Sequence, residues 1–161
     1  MTEFEGTPRA PTSARIALVA SRFNELVTTP LVAGARECLA QCGVPDERID
    51  VVWVPGAFEL PVAAAVAAAS GRYAAIVALG CVIRGETAHF DYVAGEAARG
   101  LAEVARVHRV AVGFGVLTTD TLEQAMARAG GRSGNKGHEA AAAALRTADV
   151  LARMTGAADR D

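Results

Sequence analysis

The sequence predicts an α/β domain, a four-stranded parallel sheet lying between two layers of helices. Three observations predict it. Short apolar runs alternate along the chain with helix-length amphipathic stretches. The runs are apolar throughout, as in strands covered on both faces. The length, 161 residues, suits one domain, and a 52% hydrophobic content can fill its core.

The elements follow in order. Residues 1–14 hold Gly6, Pro8, Pro11 and small polar residues, and read as an arm that is flexible unless something pins it. RIALVA (15–20) is the first strand. A helix near 28–42 puts Leu31, Val32, Ala35, Cys38, Leu39 and Cys42 on one side and Arg36, Glu37 and Gln41 on the other; Gly43 ends it. IDVVWV (49–54) is the second strand, PGAFELP a turn, and 59–70 an Ala-rich helix, read as buried, with Pro61 in its first turn. AAIVALG (74–80) is the third strand. After RGETAH comes a helix over 89–107, whose apolar stripe includes Phe90, Val93, Ala97, Leu101 and Val104. VAVGFGVL (110–117) is the fourth strand. Asp120 with Glu123 reads as the capping box of a short helix, closed by Gly130 and Gly131. A loop, GGRSGNKG, leads to a last helix over 138–154, with Ala141, Ala144, Leu145 and Ala148 opposing Arg146, Asp149 and Arg153. A single domain over 15–154 and a flexible tail over 155–161 complete the division. Right-handed crossovers favour the flavodoxin-like order 2-1-3-4, a three-layer sandwich with ligands bound outside the carboxyl ends of the strands.

Composition excludes several classes. The chain is too apolar to stay disordered. A net charge of −2 and an isoelectric point near 5.9 argue against nucleic acid and anionic membranes as partners. No apolar run is long enough to span a membrane, and MTEFEGTPRAPTSAR lacks a secretory signal. Cys38, Cys42 and Cys81 form no disulfide scaffold, so a reducing, cytoplasmic setting and buried thiols are expected. No second Cys or His pair completes a metal site around Cys38 and Cys42, and neither a metal nor a cofactor is expected.

The strand ends carry the unusual residues: SRFNE, PGAFE, CVIRGETAHF and TTD. Phe23, Phe58, Phe90 and Phe114 lie at or beside these positions. They can stack on a flat ligand, or they can simply seal the end of the sheet. RGETAH is the strongest signal. At a helix start, backbone N–H groups point outward unpaired, the dipole favours an anion, and Gly85 permits close approach. Thr87 adds a hydroxyl. His89 adds an imidazole, the side chain that exchanges protons near neutral pH. A plain capped helix start with an exposed His is the other reading. Arg128 and Lys136 are the remaining cationic candidates, although such residues are more often solvated surface charges, and His108 and His138 look structural or exposed. GGRSGNKG fails the phosphate-loop pattern, since Gly137 stands where Ser or Thr is required. Neither G-x-G-x-x-G nor G-x-S-x-G is present, which disfavours dinucleotide binding and leaves hydrolase chemistry without support.

The blocks RIALVASRFN, VVWVPGAFELP, ALGCVIRGETAHFDYV, GFGVLTTDTLEQAMARAG and GNKGHEAA closely resemble the lumazine synthases, which act at the penultimate step of riboflavin biosynthesis. The likeness runs from about Arg15 to Met154, in order. It implies condensation of 5-amino-6-(D-ribitylamino)uracil with 3,4-dihydroxy-2-butanone 4-phosphate to 6,7-dimethyl-8-ribityllumazine, with loss of phosphate and water. By resemblance, Phe23 stacks on the pyrimidine; Ala57, Phe58 and Glu59 hold its ribityl side; Cys81, Val82 and Ile83 offer backbone groups to its edge. Gly85, Glu86 and Thr87 cradle the phosphate, Arg128 completes its neutralisation, Lys136 adds positive potential, and His89 transfers protons. Phe114 and Arg128 come from the neighbouring subunit.

Three positions depart from the commoner family pattern. Glu86 stands where a small residue is usual, so its carboxylate must turn away from a phosphate dianion. Cys81, and Ala111 where proline is frequent, are milder changes. The resemblance also implies a homopentamer. The short segment between Arg128 and Lys136 matches members that assemble a 60-subunit icosahedral shell, a state compatible with association with riboflavin synthase. The arm is expected to add to a neighbour's sheet. A non-catalytic lumazine- or flavin-binding protein, or a mainly structural shell protein, on the same scaffold is the alternative function.

Overall fold

The computed structural model describes residues 1–157; the end of the expected tail, 158–161, lies outside the described residues. The order is β1 (Arg15–Ser21), α1 (Glu25–Gln41), β2 (Ile49–Val54), α2 (Leu60–Ala69), β3 (Tyr73–Ile83), α3 (His89–His108), β4 (Ala111–Thr119), α4 (Leu122–Ala127), β5 (Ala129–Gly131), β6 (Gly134–Asn135) and α5 (Lys136–Met154). β1 to β4 form one parallel sheet in the order β2-β1-β3-β4, as the alternation of elements predicts.

The two-residue period of the strands sorts their side chains into two cores. Ile16, Leu18, Val77 and Leu79 pack with Leu31, Ala35, Ala141 and Leu145 of α1 and α5. Ala17, Val19, Ile76 and Ala78 pack with Leu60, Ala64, Ala97 and Leu101 of α2 and α3. Both central strands are therefore covered twice, which is why they are apolar throughout. Edge strand β2 is not: Val51 and Val52 remain partly exposed.

Small residues set the helix spacing. A Cβ on Gly113 would lie 2.3 Å from the Ala140 carbonyl oxygen, so α5 sits directly on β4. A Cβ on Gly137 would lie 2.0 Å from the Leu31 carbonyl oxygen, so the start of α5 abuts α1. Gly137 is thus a packing position, which explains why the loop before it resembles a phosphate loop yet lacks its hydroxyl.

Several elements differ from the sequence reading. α1 begins at Glu25, not near 28, because left-handed Asn24 (φ 61°) turns the chain straight into it. Pro30 is absorbed inside the helix, and its carbonyl accepts from Asn135 Nδ2 at 3.0 Å. The capping box of α4 is Thr121 with Gln124, one residue later than Asp120 with Glu123: the Thr121 hydroxyl accepts the Gln124 N–H at 3.1 Å. The segment expected as a loop contains the β5–β6 hairpin. α5 starts two residues early, capped by the Asn135 side chain, which accepts from the N–H groups of Gly137 and His138. α2, read as buried, buries only Leu60 and Ala64 in the single chain; Val62 and Val66 are exposed.

The largest difference concerns Asp149, assigned to the solvated side of α5 but buried. The arm covers it. Its carboxylate accepts from the Thr7 N–H (3.0 Å), the Thr7 hydroxyl (3.3 Å) and Arg9 Nε (3.0 Å), and pairs with Arg153 at 3.1 Å. The Ala10 N–H donates to the Cys42 carbonyl, and Arg48 donates to the Pro11 carbonyl. Residues 7–11 are therefore pinned to their own chain. Burial alone would raise the Asp149 carboxyl, but the Thr7 N–H and the guanidiniums of Arg9 and Arg153 hold it below its ordinary value.

Because the folded-state value is depressed, this stabilisation is complete above the unfolded value, near 4, and is lost as pH falls through the folded one. Asp149→Ala is expected to cost about 2 kcal/mol at pH 7. In urea unfolding, the gap between wild type and variant should shrink below about pH 4; a gap that persists at pH 2 would mean that packing, not charge, holds the arm.

Candidate active site

At the carboxyl rim of the sheet, β3 outruns its neighbour. The β1–β3 pairing ends at Ala20 opposite Leu79, whereas β3 continues beside β4 as far as Ile83 opposite Thr119. The β1-side edge of Cys81, Val82 and Ile83 is left without a strand partner, and there the Asn24 side chain takes the Cys81 carbonyl. A cavity of about 690 Å³ opens at this point. Phe23, Ala57, Phe58, Glu59, Cys81, Val82, Ile83, Gly85, Thr87 and His89 all line it, so residues from three strand ends converge as the fold class predicts.

The two aromatic readings can now be separated. Phe23 and Phe58 leave 73% and 60% of their surface bare. Rings that merely sealed the sheet would be covered, so these are free to take a flat partner. The local fold explains their placing. Left-handed Asn24 ends the β1 turn, and its Nδ2 donates to the Cys81 carbonyl at 2.9 Å, tying the Phe23 loop to β3. Phe58 lies in a single turn, Ala57–Glu59. That turn is closed by the Gly56 N–H donating to Glu59 Oε2 at 2.9 Å, which leaves the other carboxylate oxygen of Glu59 without a partner among the described residues.

The β3–α3 connection supplies the polar wall. The backbone N–H groups of Gly85, Glu86, Thr87 and Ala88 make no hydrogen bond among the described residues. They precede α3, whose dipole adds positive potential. The His89 N–H donates to the Thr87 hydroxyl at 3.4 Å, and the His89 side chain is exposed beside them. Four successive unpaired N–H groups at a helix start suit a phosphate. Glu86 is not among the cavity-lining residues. Burial pushes the Cys81 thiol up to about 11, so it stays protonated at neutral pH and is no nucleophile.

What the cavity lacks is as informative. Among the described residues no Lys or Arg lines it. Arg128 and Lys136 lie instead with Phe114 around a separate hollow of about 280 Å³ beside β4. There Arg128 Nη1 donates to the Gln124 carbonyl at 2.9 Å, and Lys136 pairs with Glu139 at 2.6 Å. The single chain thus brings the pyrimidine-side and phosphate-loop candidates together, and holds Phe114, Arg128 and Lys136 apart from them. Among the described residues no cluster of three or more metal-ligating side chains occurs.

A family model described as 6,7-dimethyl-8-ribityllumazine synthase matches residues 13–152. A protein of that name from Gemmatimonas aurantiaca is 58% identical over 161 residues, covering 100% of this chain and 98% of the relative. Another of the same name, from Edwardsiella ictaluri, is 55% identical over 152 residues, 94% of this chain and 97% of its own. The chain belongs to the 6,7-dimethyl-8-ribityllumazine synthase family.

Membership in the lumazine synthase family makes the chain one of a family of transferases. No helix among the described residues is long and apolar enough to cross a membrane. Sequence reasoning missed several lining residues of this lumazine synthase cavity: Asn24, Pro55, Gly56, Tyr92 and Val93. Asn24 was findable, since Asn is among the few residues besides glycine that adopt the left-handed conformation readily. Tyr92 was not, because at helical spacing it is indistinguishable from a solvated ring.

Proposed function

We propose that the cavity at the sheet's carboxyl rim is where this lumazine synthase condenses 5-amino-6-(D-ribitylamino)uracil with 3,4-dihydroxy-2-butanone 4-phosphate, forming 6,7-dimethyl-8-ribityllumazine and releasing phosphate and water. The pyrimidine stacks on Phe23, its edge meeting the backbone of Cys81, Val82 and Ile83 where β3 runs beyond its pairing with β1. Its ribityl hydroxyls reach Ala57, Phe58 and the open carboxylate oxygen of Glu59. The phosphate of the second substrate sits on the N–H groups of Gly85, Glu86 and Thr87.

The chemistry then asks little of the protein. The pyrimidine amine attacks the ketone and water leaves, giving an imine. Loss of a proton from the adjacent carbon allows phosphate to depart, leaving an enol; after its tautomerisation to a ketone the second amine adds to that carbonyl, and loss of a second water closes the ring. Holding the two reactants face to face supplies much of the rate. The amide cradle stabilises the leaving dianion, and His89 carries protons between successive intermediates.

One observation carries the reading of the assembly: among the described residues, a phosphate cradle with unpaired N–H groups and no Lys or Arg in its own cavity. A dianion desolvated beside Glu59 requires a positive charge. The chain's own Arg128 and Lys136 face another hollow, so a neighbouring subunit supplies them together with Phe114. A ring of five satisfies this arrangement. Exposed Val62, Val66 and Val107, and an apolar groove lined by Ala98, Ala102, Ala105 and Phe114, give such a ring a surface to bury. The compact β5–β6 hairpin between Arg128 and Lys136 suits closure of twelve rings into a 60-subunit shell, able to associate with riboflavin synthase, in a cytoplasmic setting. Gly6 packs on α5 of its own chain and residues 7–11 hold the arm there, so residues 1–5 are the part that can extend along the exposed edge of a neighbour's β2.

The test is direct. Purified chain is supplied with both substrates, product is followed by its absorbance and released phosphate is measured, with sedimentation run in parallel. One phosphate per lumazine, from particles of five subunits or of sixty, is the expected result. Tight lumazine binding without turnover would favour the storage-protein alternative.

A further inference from the structure

Arg84 is the residue of the RGETAH segment whose charged side chain has most contacts and no part in the reaction scheme. It follows β3 directly, and its N–H donates to the Thr119 carbonyl at the end of β4 (2.8 Å). Its guanidinium makes three further contacts. Nε donates to Asp120 Oδ1 at 3.0 Å, Nη1 lies 3.5 Å from Asp91 Oδ1, and the guanidinium carbon stands 4.3 Å from the centre of the Phe90 ring. Asp91 and Phe90 belong to the first turn of α3, and Asp120 to the segment ahead of α4. One side chain therefore reaches across residues 85–88 and grips the elements on either side of them.

Those four residues are otherwise tied only into the start of α3, where the Thr87 hydroxyl accepts the His89 N–H and the Ala88 carbonyl accepts the Asp91 N–H. Their N–H groups are unpaired, and all four are exposed. Glycine at 85 adds backbone freedom. Convergence of several N–H groups on one anion demands a fixed backbone, and a loop that must be ordered on binding loses affinity to that ordering. Arg84 spans the loop from its first residue to the helix that follows it.

We propose that Arg84 is a positioning residue for the phosphate-bearing substrate: it touches no substrate atom, and its clamp on Asp91, Phe90 and Asp120 pre-forms the amide cradle. This rests on the reading of 85–87 as the phosphate site. The rival role for Arg84, a direct ligand of the phosphate, predicts the opposite sign in one variant. If Asp120 orients the guanidinium, Asp120→Asn loosens the clamp and weakens the phosphate substrate. If Asp120 merely competes with phosphate for a cationic ligand, Asp120→Asn frees that cation and tightens binding.

Steady-state kinetics on the assembled enzyme, varying each substrate in turn, decide the matter. Arg84→Ala is expected to raise KM for the phosphate substrate about tenfold, with KM for the pyrimidine within about twofold. Arg84→Lys should recover only part of the loss, since an ammonium cannot hold both carboxylates and lie flat on Phe90. Asp120→Asn should shift the same KM in the same direction. The double variant should be no worse than Arg84→Ala, because both changes break one clamp. An unchanged phosphate KM, an equal rise in both KM values, or tighter phosphate binding in Asp120→Asn would each overturn the proposal. If Arg84→Ala does not fold, Asp120→Asn carries the test. Failure of the wild type to turn over would refute the parent reading instead, so the two failures are distinguishable.

Discussion

Replacing His89 by alanine is expected to lower kcat about 100-fold or more, with KM for the phosphate substrate within about twofold. The split follows from where His89 stands. Its side chain lines the cavity next to the amide run, whereas the anion is to be held by the backbone N–H groups ahead of it. Removing the imidazole therefore removes the proton carrier and leaves the cradle. Its backbone N–H, which donates to the Thr87 hydroxyl, survives the substitution. The measurement is a full steady-state analysis, with phosphate-substrate binding checked by calorimetry. A kcat within threefold of wild type would take His89 out of the mechanism. A large rise in phosphate KM alone would instead make it an anion ligand.

Much of the fold was legible because it rests on patterns with a short period. Strands apolar at every position, such as Leu18–Val19 and Ile76–Val77, have helices on both sides, and the order β2-β1-β3-β4 follows from crossover handedness. The strand-end rule located the cavity, since Phe23, Phe58 and His89 each follow a strand and all line it.

What was not legible depends on contacts distant in sequence. Asp149 reads as a solvated helix charge until Thr7 and Arg9 close over it, across separations of 142 and 140 residues that no local periodicity reports. The one-residue error in the α4 cap has a different origin: Asp120 and Thr121 are both good caps. Asp120 is drawn away by Arg84 while its own N–H donates to the Gln124 side chain, and Thr121 takes the capping role. Val62 and Val66 show the limit from the other side. Their apolar character is plain in sequence, but a single chain gives them nothing to pack on.

Arg128→Ala is expected to raise KM for the phosphate substrate about 100-fold, with little change in pyrimidine affinity, because a desolvated dianion then faces amides alone. The subunit of origin is tested by mixing. A ring in which each cavity takes His89 from one chain and Arg128 from the next is a heterologous assembly. In equal co-expression of His89→Ala and Arg128→Ala chains, an intact cavity forms wherever an Arg128→Ala chain meets a His89→Ala neighbour on the correct side. Random order gives about a quarter of all sites, one half multiplied by one half, so roughly a quarter of wild-type activity returns from two nearly inactive parents. If Arg128 served the cavity of its own chain, every chain in the mixture would carry a damaged site and no activity would return. The separation already visible within one chain, with His89 lining the large cavity and Arg128 the hollow beside β4, favours recovery.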